Sequence, residues 1–178
     1  HAVVKQRRVQ GMIHRVKKAD GAWVEDDDAI ASEAVAYFSS LFSDETTTHA
    51  DGLLNFIPSL ITEEDNLGFE EVPTLEEIKR VVFAMDGERA AGPDGFTGKF
   101  FNFAWDIIAQ DIYKAIGSFF CGAELLRFVT STSIVLIPNV PNPQNFSKFR
   151  PISLCNFFNK VISRILVERI APILPRII

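Results

Sequence analysis

The sequence has few of the residues that crosslink or anchor small proteins. Its 178 residues include only two cysteines, Cys121 and Cys155, which cannot form a disulfide framework. No set of cysteines and histidines has the spacing of a zinc site. No apolar run approaches the roughly 18 residues of a membrane-spanning helix. These absences exclude a disulfide-rich secreted domain and a membrane protein. They predict an intracellular protein in a reducing compartment, with no targeting signal.

The remaining composition is that of a globular chain. Hydrophobic residues make up 47% and charged residues 23%, which argues against wholesale disorder. A chain of this length can bury about 70% of its unfolded surface, so a real core is expected. The sequence opens with His1 and stops after an apolar helical pattern at Ile178. We therefore expect a piece of a longer protein.

Charge is segregated along the chain. Residues 1–19 hold six basic residues and no acid, whereas residues 20–88 hold eighteen acids and two bases. Residues 89–178 hold ten bases and five acids. The basic final part is able to face phosphate, and the acidic middle would repel it. Solvated helix surface is the alternative explanation of the same pattern.

Periodicity and turn signals predict three elements in the first half of the chain. Asp20-Gly21 between apolar–polar runs predicts a hairpin over residues 12–25. Residues 26–42 follow as a helix with acids in its first turn, where they favour the helix dipole. Thr74-x-x-Glu77 is a capping box that predicts a second helix ending near Gly87. Residues 43–51 are predicted to be a loop, and residues 53–60 a short apolar segment broken by Pro58.

The second half of the chain alternates helix and extended segments. Residues 88–98 contain three glycines and a proline and are predicted to be a loop, followed by an aromatic-rich helix over residues 99–120. Residues 132–137 are a β-branched strand, residues 139–145 a proline-rich reversal, and residues 146–154 a returning edge strand. A final helix begins near Asn156. The expected fold class is therefore α+β and mostly helical, with a β-hairpin near the N-terminus and a two-stranded ribbon near the C-terminus.

Two segments carry candidate chemistry. The first is the turn Gly92-Pro93-Asp94-Gly95 before a helix, where backbone N–H groups are able to hold phosphate. No Gly-Lys-Ser/Thr follows, so it is not a P-loop, and a purely structural turn is the favoured interpretation. The second is Arg150, which Pro151 holds in extended backbone. A planar guanidinium on a stiff ribbon suits a triphosphate, and an ordinary surface arginine is the alternative.

Other polar groups have simpler interpretations. The run Glu25-Asp26-Asp27-Asp28 resembles the clustered acids of two-metal sites, but its place at a helix start favours a solvated, dipole-stabilised role. His14 and His49 have no ligand or nucleophile pattern and are expected at the surface. Cys155 lies where a strand meets a helix and is expected in the core. We predict no metal site and no catalytic residue in the chain.

The two candidate segments, in this order and spacing, resemble the reverse transcriptase of LINE-type (non-long-terminal-repeat) retrotransposons, especially plant elements. The residues that carry the resemblance are the turn Gly92-Pro93-Asp94-Gly95-Phe96, the helix with Phe101 and Trp105-Asp106, the strand Leu136-Ile137-Pro138, and the run Phe149-Arg150-Pro151-Ile152-Ser153-Leu154-Cys155-Asn156 followed by Lys160-Val161-Ile162. The basic start with its hairpin is similar to the connector between endonuclease and polymerase. The resemblance covers nearly the whole chain.

The resemblance implies a division of the chain and a set of ligands. Residues 1–70 would be the connector, and residues 71–178 the N-terminal extension and fingers, with the palm absent. Arg150 would contact the nucleotide, and Lys148, Lys160 and Arg164 would contact nucleic acid. The full polymerase would use Mg²⁺, deoxynucleotides, an RNA template and a DNA primer, and its palm would be the partner of this region. Nothing in the chain matches the family's catalytic aspartates, so the chain alone should not polymerise.

The sequence departs from the family pattern near the ribbon. Asn139 stands where a lysine usually follows the Ile-Pro, and Lys148 stands where an acid usually precedes the Phe-Arg-Pro. These departures are typical of a decayed genomic copy. The alternative functions are therefore a non-catalytic nucleic-acid-binding remnant and a helical protein-interaction module.

Overall fold

A computed structural model describes residues 12–43 and 60–177 of the chain. The predictions for residues 44–51 and 53–59, for His49, and for the basic residues of the first eleven positions lie outside this part. The predicted fold class is confirmed, because the described residues form mostly helices with two small antiparallel two-stranded sheets. Within the described ranges no helix is long and apolar enough to cross a membrane.

The chain forms two compact units, each with its own core. We call the first the ribbon unit; its described residues are 12–43 and 134–152. The second, the helical unit, comprises residues 60–133 and 153–177. The division between connector and fingers at residues 70 and 71 rests on the resemblance and stays a prediction.

The ribbon unit begins with the predicted hairpin. Strands β1 (Val16–Lys17) and β2 (Trp23–Val24) pair antiparallel around a turn at Gly21, whose positive φ of 89° suits glycine. Helix α1 (Asp27–Phe42) follows, and the Asp26 carboxylate caps it by accepting from the Ala29 N–H at 2.9 Å. The acid run is therefore a helix start, as predicted.

A small aromatic core holds the ribbon unit together. Its buried members come from the hairpin, from α1 and from the segment before the last strand, and they are Val16, Ile30, Phe38 and Phe146. Phe146 lies in a 3₁₀ turn (Phe146–Lys148) that separates β3 (Thr132–Pro138) from β4 (Phe149–Cys155). The returning strand therefore begins three residues later than the sequence predicted, because burial of the Phe146 ring shapes the backbone into a turn.

The helical unit packs three amphipathic helices around one core. These are α3 (Leu75–Ala84), α4 (Gly98–Phe120) and α6 (Phe157–Ile170). Their apolar faces follow helical spacing and bury Ile78, Val81, Val82, Phe101, Trp105, Ile112, Ile116, Phe157, Val161, Ile162 and Ile165. Short helices α5 (Arg127–Thr130) and α7 (Leu174–Ile177) complete the unit.

Three helices of this unit are absent from the sequence-based expectations: the four-residue helices α5 and α7, and the longer α2 (Glu63–Glu70). Helix α2 starts with a capping box in which the Thr62 hydroxyl accepts from the Asp65 N–H and the Asp65 carboxylate accepts from the Thr62 N–H. Hydrogen bonds from the Thr62 backbone, and then from Arg176 and the Thr62 hydroxyl, lower the pKa of Asp65. Its short polar sequence has almost no apolar stripe, which is why periodicity did not reveal it.

The predicted capping box of α3 is only half formed. The Thr74 hydroxyl accepts from the Glu77 N–H at 3.1 Å, as expected. The Glu77 carboxylate does not return to Thr74 but receives two hydrogen bonds from Arg169, both of 3.1 Å. Arg169 also donates to the carbonyls of Phe69 and Glu71. The Glu77 carboxylate binds the Arg169 guanidinium rather than the Thr74 N–H, because a hydrogen bond between two charged groups is stronger than one to a neutral N–H.

The phenylalanines of α4 divide between core and surface. Phe101 is buried, and Phe119 and Phe120 pack partly against the core. Phe100 is 40% exposed, and Phe103 is 94% exposed. Apolar side chains therefore face more than one side of this helix.

Candidate nucleic-acid interface

The ribbon formed by β3 and β4 presents Arg150. Arg150 is the second residue of β4, and its side chain is exposed. Backbone pairing continues one step beyond the strands at the loop end of the ribbon, where the Asn139 N–H donates to the Lys148 carbonyl at 2.8 Å. Among the described residues, Arg150 makes no ion pair and no side-chain hydrogen bond. Within the described part of the chain, its exposed guanidinium is therefore not neutralised by a carboxylate.

Lys148 does not share the strand with Arg150. It is the last residue of the 3₁₀ turn, and its N–H donates to the Asn145 carbonyl at 3.1 Å. The alternation of side chains holds only within a strand, so a shared strand does not place Lys148 and Arg150 on one face. Lys148 is exposed beside the ribbon. Its nucleic-acid contact stays a prediction.

Lys160 and Arg164 lie in the helical unit and line one groove. Because they are four residues apart on α6, they share a face of the helix. The groove has a volume of 440 Å³, and Arg89 from the loop after α3 also lines it. Ser163 and Asn159 add polar groups to the wall. We call this the basic groove. Arg89 is not among the residues predicted from the sequence, because it reaches the groove only when the loop after α3 folds beside α6.

Neighbouring groups neutralise part of this charge. Arg164 pairs with Glu168 at 3.0 Å, and the same carboxylate receives Arg80 at 3.2 Å. The Lys160 ammonium donates to the Ala90 carbonyl at 3.1 Å, so it also ties the loop to the helix. Four cations and two carboxylates, Glu168 and Asp86, therefore lie in or beside the basic groove. The net positive charge suits phosphate.

The turn of residues 92–95 is closed by its own hydrogen bonds. The Gly95 N–H donates to the Gly92 carbonyl at 3.1 Å, and the φ of 77° at Gly95 explains that glycine. The Asp94 carboxylate accepts from the Phe96 N–H at 3.0 Å. The interpretation as a structural turn agrees with these internal contacts, which occupy the N–H groups of Gly95 and Phe96.

Asn156 joins this turn to the end of β4, and sequence reasoning gave it no role. Its side chain is 3% exposed and accepts from the Asp94 N–H at 3.2 Å. It donates to the Phe128 carbonyl at 2.7 Å and to the Val129 carbonyl at 3.2 Å. A Cβ at position 92 would lie 2.4 Å from its backbone nitrogen, so only glycine fits there. Both segments that carry the resemblance thus meet at one buried amide.

The acidic residues, histidines and cysteines of the described part of the chain do not form a metal-binding cluster. Among residues 12–43 and 60–177, no three His, Cys, Asp or Glu side chains are placed to bind an ion. Both cysteines are free thiols, Cys121 exposed and Cys155 half-buried. Cys155 accepts a hydrogen bond from the Thr132 hydroxyl at 3.4 Å, so it lies at the edge of the core rather than within it.

Comparison with known proteins relates the chain to a mobile element. No protein-family model matches the sequence. The chain is 24% identical over 180 aligned positions to the transposon TX1 uncharacterized 149 kDa protein of Xenopus laevis. The alignment covers all of this chain but only 14% of that protein. The chain is thus similar, over its whole length, to one portion of a much longer transposon protein, which indicates a transposon-derived origin.

Proposed function

We propose that the chain is the connector and fingers region of the reverse transcriptase of a LINE-type retrotransposon. In this proposal the ribbon contacts the incoming deoxynucleotide, and the basic groove contacts the RNA template. Similarity to a transposon protein supports the origin, and the order of the motif residues supports the polymerase assignment.

The observation that carries the proposal is the presentation of Arg150. A paired two-stranded ribbon holds it, Pro151 restricts its backbone, and no carboxylate of the described residues neutralises it. A guanidinium held in this way is able to donate two parallel hydrogen bonds to phosphate oxygens. Among the ligands of a reverse transcriptase, the nucleotide triphosphate is the one that such a guanidinium fits.

The chain would supply binding but not the chemical step. Its described residues do not fit a Mg²⁺ site, since they lack converging carboxylates. The proposal therefore assigns the metal ions, the primer and the phosphoryl transfer to the palm, outside this chain. In the proposal, this chain would orient the nucleotide and the template toward the reaction site in the palm.

The test is primer extension by the full-length protein carrying Arg150→Ala. Loss of charge-assisted hydrogen bonds worth about 1.5–3 kcal/mol should raise the KM for deoxynucleotides roughly 10- to 100-fold. Arg150→Lys should fall between, because a lysine keeps the charge and loses the planar fork. Lys114→Ala, at an exposed position of α4, serves as the control and should leave KM unchanged. An unchanged KM in Arg150→Ala would overturn the assignment of the ribbon.

A further inference from the structure

A second groove in the helical unit differs from the basic groove in its chemistry. It has a volume of 460 Å³ and is lined mostly by apolar side chains. They come from α4 and the loop before it, from α5 and the segment before it, and from the start of α6. Phe101 and Phe158 lie in its wall, and Phe96, Leu126 and Phe128 lie at its exposed rim. We call this the apolar groove.

The large apolar side chains at the rim of the apolar groove are exposed to solvent. Phe128 is 69% exposed, Leu126 is 64% exposed and Phe96 is 45% exposed. Single exposed apolar residues are common on protein surfaces, but several around one concave site mark a place where another molecule binds. Aromatic residues at such a rim supply much of the binding free energy in protein interfaces.

The apolar groove is already shaped for a ligand. Asn156 lines it and fixes the turn of residues 92–95 to the carbonyls of Phe128 and Val129. Phe101 stacks on Phe157 with ring centroids 4.5 Å apart, which fixes the wall from behind. A site held by buried contacts loses little conformational freedom on binding, so less of the interaction free energy is spent on ordering.

The charged residues that line the apolar groove favour one class of ligand. Asp94 and Glu124 line it, and no basic residue does. Residues 89–178 contain ten bases and five acids, so two of the five acids and none of the ten bases face this site. A nucleic acid would meet apolar surface and like charge here. A polypeptide segment with apolar and basic side chains would meet complementary surface.

We propose that the apolar groove binds an apolar, basic peptide segment of a partner polypeptide. Its apolar side chains would enter between Phe96 and Phe128, and a lysine or arginine would pair with Glu124. This binding site is independent of the nucleotide and template contacts proposed above, which lie on the ribbon and in the basic groove.

The experiment is selection of peptides from a random phage-displayed library on the purified chain. Selected peptides should be rich in apolar and basic residues. Phe128→Ala should weaken their binding about tenfold or more. Phe103→Ala removes an even more exposed ring outside the groove, and it should leave binding unchanged. Thermal melting of both variants reports whether each remains folded.

The charge contact is tested separately. Glu124→Gln should weaken peptide binding about two- to fivefold, whereas Glu76→Gln, an exposed acid on α3, should not. The proposal is overturned if the library yields no binder, if the binders are acidic, or if Phe128→Ala binds them as tightly as the parent chain. It is also overturned if Phe128→Ala abolishes self-association or single-stranded RNA binding instead, since a second copy or RNA would then be the occupant.

Discussion

The two units differ in how much core supports the residues proposed to act. Among the described residues, the core cluster of the helical unit has eleven buried apolar members from three helices, whereas that of the ribbon unit has four. The helical unit also carries the partly buried Arg169–Glu77 ion pair, and its α2 starts with a capping box. Arg150 lies in the unit with the smaller described core. Segments that contact ligands commonly have low local stability, so the difference agrees with the proposed role of the ribbon.

The largest effect is expected in the ribbon unit. Phe146→Ala should destabilise this unit by about 4 kcal/mol, because the ring is one of the four buried core members among its described residues. Hydrogen exchange should quicken in residues 134–152 and in β1, while the amides of α3, α4 and α6 stay protected. Phe42→Ala, which removes an exposed ring of the same unit, should cost less than about 1 kcal/mol. Equal loss of protection in both units would show that the cores are not separate.

Arg169→Ala should have the next largest effect, in the helical unit. It would leave Glu77 and the carbonyls of Phe69 and Glu71 without their donor, and it would remove the guanidinium from the Phe120 ring. We expect a loss of about 3 kcal/mol in urea unfolding, since breaking a mostly buried ion pair strands the other charge. Arg80→Ala serves as the control because that side chain is 66% exposed, and it should cost well under about 1 kcal/mol. Equal costs would contradict the structural role of Arg169.

Gly92→Ala tests the contact between the turn and Asn156. The added Cβ meets backbone that cannot move aside, and we expect a loss of about 2 kcal/mol. Gly68→Ala is the matched control in α2, where nothing lies within 4 Å, and it should be neutral or slightly stabilising. A tolerated alanine at position 92 would show that the turn does not dock on Asn156.

The smallest effect concerns the start of α2. The pKa of Asp65 is lowered by the Thr62 backbone hydrogen bond and by Arg176, so the folded state favours the ionised carboxylate. Its contribution to stability is present above the ordinary pKa of 3.8 and is lost as the pH falls through the lower folded-state value. Asp65→Asn should flatten the acid side of the stability profile. If the free energy of unfolding fell with decreasing pH in the same way in both proteins, the capping role of Asp65 would be contradicted.

Periodicity and turn chemistry predict most of this fold. The Asp20-Gly21 turn and the stripes of α1, α3, α4 and α6 are visible in the sequence because local geometry determines them. The pairing of Glu77 with Arg169 is not visible, since the two residues are distant along the chain. The same reason hides Arg89 in the basic groove and the role of Asn156. The 3₁₀ turn at Phe146 follows from burial in a core whose other members come from the first 43 residues.

The most direct test of the proposed function compares two affinities across two variants of the chain. Titrations measure binding of a fluorescent deoxynucleotide triphosphate and of a labelled single-stranded RNA. Arg150→Ala should weaken nucleotide binding more than RNA binding. Lys160→Ala with Arg164→Ala should do the reverse and flatten the dependence of RNA affinity on salt, which has a slope of about 0.7 per neutralised phosphate. Equal losses for both ligands in both variants, or no loss in either, would contradict the assignment of nucleotide to the ribbon and template to the basic groove.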